Sequence, residues 1–201
     1  TNRAGWYGAS LVSYVFAVLS KEYAVMTVAM TVPLYVYIRR PSWKAIAAVT
    51  GGSLFALALA GIAFWGIYGS LVGKVFDPRS VALVQQLEAM RPGVTAHVYP
   101  LSILNEAALF FAYRFLWFLP NVHWMSVDLR PAFPLGFGSW QHLLGAAGYV
   151  ALFFAAIWMV LRRRNALAAV GLFLLFPLIW FMTEFATVWV QDPFVLYRSY
   201  L

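Results

Sequence analysis

Residues 4–38 read AGWYGASLVSYVFAVLSKEYAVMTVAMTVPLYVYI, an apolar run interrupted once, by the adjacent charges Lys21 and Glu22. Bilayer hydrocarbon takes roughly 20 apolar residues per helix, so this run is too long for one crossing and suits two. A charge at the centre of a span costs about 2.5–3.5 kcal/mol on insertion scales, so charged residues gather where water or a partner reaches them. The pair is therefore expected at a hairpin tip on the membrane surface, or lining a site.

The rest of the chain agrees with a membrane setting. Apolar residues make up 63% of the 201 and charged ones 10%, with a mean hydropathy of +0.77. A soluble domain carries about 45–50% and about 25%, so the composition specifies an all-α, polytopic integral membrane protein. The net charge is +7, but the basic residues cluster at loop ends rather than on a basic–aromatic surface, which argues against nucleic acid as a partner. Cysteine is absent, excluding disulfides and thiolate metal sites. Aromatic residues reach 18%, more than interface belts alone require, and the surplus suits a lipid or sugar groove.

Five spans stand out: residues 5–19, 23–38, Trp43–Tyr68, 143–161 and 166–190. Two short basic loops, 39–44 (RRPSWK) and 162–165 (RRRN), belong on the cytoplasmic side. Pro41 and Ser42 suit a helix stop followed by an N-cap and restart. This orientation puts Lys21, Glu22, Asp128, Arg130, Asp192 and Arg198 on the outer face, with 70–142 as an external region. Within it, residues 79–90 (RSVALVQQLEAM) have helical spacing. Residues 101–120 (LSILNEAALFFAYRFLWFLP) contain Asn105, Glu106 and Arg114. A sixth crossing there would put the arginines 162–164 outside, so an interfacial or re-entrant helix is expected instead. The total is about five to six transmembrane helices in a single helical domain, 1–201.

Several residues carry candidate chemistry. Lys21 could aim its ammonium at a lipid phosphate, with Glu22 orienting it or contacting a metal or sugar hydroxyl; alternatively the two form a solvated hairpin tip. Asp128 lies in a loop rich in proline and aromatics, where it could contact sugar or pair with Arg130; His123 beside it makes a weak metal signal. Arg198, flanked by Tyr197 and Tyr200, could clamp a phosphate or anchor the interface. Glu184 lies inside the fifth span, and an intramembrane carboxylate is a functional candidate by its cost alone. Thr183, Thr187 or a basic group such as Arg114 could partner it. Gly51-Gly52 in the third span suits close helix packing. No Walker loop, dinucleotide-binding glycine pattern, His-Glu-x-x-His or nucleophile elbow occurs.

Residues 17–22 (AVLSKE), followed by an apolar helix, resemble the LSKE segment of the transmembrane O-mannosyltransferases that carry tetratricopeptide repeats, and of their bacterial relatives. Residues 113–120 (YRFLWFLP), with Asp128 and Pro134 beyond, are similar in order and spacing to a later stretch of that family. Residues 191–201 (QDPFVLYRSYL) resemble its aromatic-rich "LY" run, with Arg198 where the family more often has an uncharged residue.

The resemblance implies a GT-C glycosyltransferase that uses a polyprenyl-phosphate sugar donor. It would act on a protein or glycan acceptor outside the cytoplasm, in a bacterial inner membrane. It implies Lys21 and Arg198 at the donor phosphate, Glu22 and Asp128 at sugar or a divalent cation, and Trp117, Trp124 and Tyr197 along the lipid or sugar groove. The catalytic acids of that class lie in a first external loop. None precedes Arg3, so the catalytic residue is unknown and the chain is expected to be a segment of a longer protein. Two other classes fit the composition: a non-catalytic subunit of a larger respiratory or photosynthetic complex, and a transporter segment.

Overall fold

A computed structural model describes residues 3–20, 22–69, 73–75, 78–119, 132–162, 165–186, 188 and 190. Among them are seven α-helices and no strand: α1 (Arg3–Ser20), α2 (Thr27–Arg39), α3 (Trp43–Tyr68), α4 (Pro78–Met90), α5 (Val98–Phe118), α6 (Trp140–Leu161) and α7 (Asn165–Phe181). The all-α membrane architecture holds. Three stretches are long and apolar enough to cross a bilayer: Trp43–Ala63, Trp140–Leu161 and Ala166–Ala186. The chain divides into two compact units, Thr1–Ala63 with Ile157–Thr183, and Phe64–Ala156 with Glu184–Leu201.

In the first unit the long apolar run does not form one regular helix. α1 covers Arg3–Ser20, and a 3-10 turn (Glu22–Met26) precedes α2. The expected second span is therefore a 13-residue α-helix with a tighter lead-in, and the first two apolar helices are shorter than the other three spans. A 3-10 turn leaves carbonyls without helical partners. The Tyr14 hydroxyl donates to one of them, the Val25 carbonyl, at 3.1 Å and ties α1 to the turn.

α2 packs against α7, burying Met30 and Val36 on one side and Ala168, Leu175 and Leu178 on the other. α2 stops as the basic loop suggested. Arg40 adopts the left-handed conformation (φ 46°), and its N–H donates to the Val36 carbonyl at 3.0 Å. Ser42 then starts α3, its carbonyl accepting from the Ile46 N–H at 3.0 Å.

The second unit is built on α4 and α5. α4 realises the helical spacing of 79–90. Its Val84 and Leu87 join Val94, Leu101, Val188 and Val190 in a buried cluster, edged by Tyr99, Leu104 and Phe133. Residues 101–118 continue without interruption in α5, whose 21 residues span about 31 Å at 1.5 Å each. Its buried positions, Leu101, Ser102, Asn105, Glu106, Leu109, Phe110, Tyr113 and Leu116, recur at helical spacing.

α6 comes very close to α5 at Gly145, where a Cβ would lie 2.6 Å from the Ala108 Cα. The small-residue contact thus falls there. Around Gly51 and Gly52, by contrast, a Cβ meets nothing within 4 Å among the described residues, so the close packing expected at that pair is not found among them. Edge-to-face rings continue the packing from α5 to α6 to the segment after α7: Phe110–Tyr149 at 5.1 Å and Tyr149–Phe185 at 5.3 Å. The Tyr99 hydroxyl donates to the Phe185 carbonyl and the Gly73 N–H to the Ala186 carbonyl, both at 2.9 Å.

Candidate functional site

The residues singled out from sequence fall in different places. Lys21, Trp124, Asp128, Tyr197 and Arg198 lie outside the described residues. Glu22 opens the 3-10 turn of the first unit, and Trp117 lies in the last turn of α5 in the second. Glu184 is 4% exposed, in a 3-10 turn (Met182–Ala186) that closes the α7 stretch. Of its suggested partners, the Thr183 hydroxyl donates to the Trp180 carbonyl at 2.8 Å, Arg114 lies over the Phe110 ring at 5.2 Å among its contacts, and Thr187 lies outside the described residues.

α5 adds a second buried carboxylate. Glu106 is 1% exposed and shares a helix face with Tyr99 and Phe110, which reach Phe185 directly and through Tyr149. Ser102, one turn before it, and the adjacent Asn105 are also buried, and the Asn105 Oδ1 has no hydrogen-bond partner among the described residues. Read from sequence, these polar residues were grounds against a spanning helix. In the fold, α5 buries most of them among its neighbours, so they disfavour only a lipid-facing helix. Among the described residues no group of three or more His, Asp or Glu could hold a metal ion.

A clamp follows α4. The Glu88 carboxylate accepts from the Gly93 N–H at 2.6 Å, the Thr95 N–H at 2.9 Å and the Thr95 hydroxyl at 2.6 Å. The Gly93 bond, then those from Thr95, hold the carboxyl well below the usual range, at about 2. Gly93 has φ +90°, a conformation that suits glycine and lets the turn fold back onto Glu88.

This turn presents Arg91 to a cleft that sequence reading did not find. Two adjoining cavities, of about 480 and 340 Å³, share Arg91, Leu135 and Gly136 in their walls. His97 lines the smaller one, and Ser139, Gln141 and His142 the larger. Gly136 allows a close approach: a Cβ there would stand 2.5 Å from the Arg91 Nη1. His97 rests edge-on against Phe137 at 5.8 Å, and the Ser139 hydroxyl meets the His142 Nδ1 at 2.7 Å. The contributing residues come from two segments far apart in sequence, 91–101 and 132–142, so no local motif announces the cleft. Compared with known proteins, the chain matches no family model, no curated protein and no solved structure.

Proposed function

We propose that the chain is a segment of an inner-membrane glycosyltransferase of the GT-C kind, moving a sugar from a polyprenyl-phosphate donor to an acceptor on the extracytoplasmic side. The observation that carries this reading is the place of the LSKE motif between two apolar helices. α1 (Arg3–Ser20) precedes it and the 3-10 turn Glu22–Met26 leads from it into α2, which supports a connection between helices at the motif. The basic loop 39–44, one helix further on, assigns that end to the outer face.

There an ammonium can meet a departing lipid phosphate without crossing hydrocarbon. Lys21 and Arg198 are assigned to the phosphate, Glu22 and Asp128 to sugar or a divalent cation, and Trp117, Trp124 and Tyr197 to the groove. The test is Lys21→Ala in the full-length protein. Transfer from a polyprenyl-phosphate sugar is expected to fall about 100-fold or more, with membrane insertion intact. Unchanged transfer removes the phosphate assignment.

A second reading, a transporter segment, draws on Glu106 and Glu184, two carboxylates buried in the second unit. It predicts proton uptake into proteoliposomes that Glu184→Gln abolishes; proteoliposomes showing no uptake would discard it.

A further inference from the structure

Among the described residues, no aspartate or glutamate lines either cavity of the Arg91 cleft. Among the described residues the Arg91 guanidinium makes no ion pair or hydrogen bond. The nearby carboxylate of Glu88 is occupied by Gly93 and Thr95. The two adjoining cavities thus present a guanidinium, two imidazoles, an amide and a hydroxyl, and no described residue in their walls is an acid. Arginine's planar fork suits tetrahedral oxyanions, and imidazole N–H groups add donors to the same oxygens. Ser139 holds His142 by its Nδ1, which leaves Nε2 as the nitrogen available to a ligand.

The first turn and a half of α6 exposes Trp140, Leu143 and Leu144 beside the cleft residues Gln141 and His142. A tryptophan at the start of an apolar span belongs at the headgroup level of a bilayer. The cleft thus lies where phosphate is the commonest anion.

We propose that the cleft formed by Arg91, His97, Gln141 and His142 binds a phosphate group, as a lipid headgroup or as free phosphate. This proposal does not depend on the glycosyl-transfer reading.

The chain has three histidines, so selective ¹⁵N-histidine labelling gives a sparse spectrum in which His97 and His142 report on the cleft and His123 is assigned alongside. The full chain in phosphatidylcholine nanodiscs is titrated with inorganic phosphate. Separately, it is compared with nanodiscs containing phosphatidylglycerol. Saturable shifts of His97 and His142 with inorganic phosphate identify a free-phosphate site; shifts only with the anionic lipid identify a headgroup site. Either supports the proposal if Arg91→Gln weakens the response at least tenfold.

Gly136→Ala is the second variant, because its Cβ displaces the tip of a flexible side chain and leaves the backbone in place. It is expected to weaken binding in the same direction with unchanged helix content. No saturable shift with either source, or an undiminished response in both folded variants, overturns the proposal.

Discussion

Glu88 shows how one side chain can organise a surface turn. Its carboxylate gathers three donors from Gly93 and Thr95, and those bonds hold its carboxyl at about 2, below the ordinary 4.5. The folded form therefore favours the ionised group. The clamp's stabilisation is fully present above pH 4.5 and is lost as pH falls toward 2. Protection of the Gly93 and Thr95 amides, relative to the intrinsic exchange rate at each pH, should fall over that window in the native protein, and in the Glu88→Gln variant it should change little. Equal protection in both proteins across the window would remove the clamp. Nothing in the sequence signalled this residue, since its partners lie five and seven positions on and the turn between them depends on Gly93. Glu184, in contrast, was legible as a carboxylate inside an apolar run, and it is buried as its position implied.

The helices were legible where caps and charges mark them. Arg40, Pro41 and Ser42 produce the stop and restart that their chemistry suggests, and 79–90 forms α4. The α5–α6 contact was not legible, because glycines are frequent in membrane helices and only tertiary placement tells which one touches a neighbour. The structure selects Gly145. Gly145→Ala should overpack the Ala108 backbone and destabilise the solubilised protein by about 1–3 kcal/mol in reversible unfolding. Gly52→Ala has open space around it and should leave stability unchanged or raise it by up to about 1 kcal/mol. A Gly145→Ala protein as stable as its parent would show that α5 and α6 do not meet there.

For the whole molecule, the proposed function depends on a sidedness read from the positive-inside rule, with the arginine-rich loops cytoplasmic and residues 70–142 external. Exposed apolar side chains, among them Leu54, Phe55 and Ile62 on α3 and Phe173 on α7, give the helices surfaces suited to lipid. Composition made the membrane class readable at once. The cleft was hidden because its residues are ordinary singly and converge only through the fold.

The absence of cysteine makes sidedness directly measurable, since any introduced thiol is unique. Lys44→Cys in the basic loop and Met90→Cys at the end of α4, both exposed, should be probed in intact spheroplasts with a membrane-impermeant maleimide. The account predicts that position 90 labels from outside while position 44 labels only after permeabilisation. Labelling of position 44 from outside, with position 90 protected, would contradict it and reverse the sidedness on which the proposed chemistry depends.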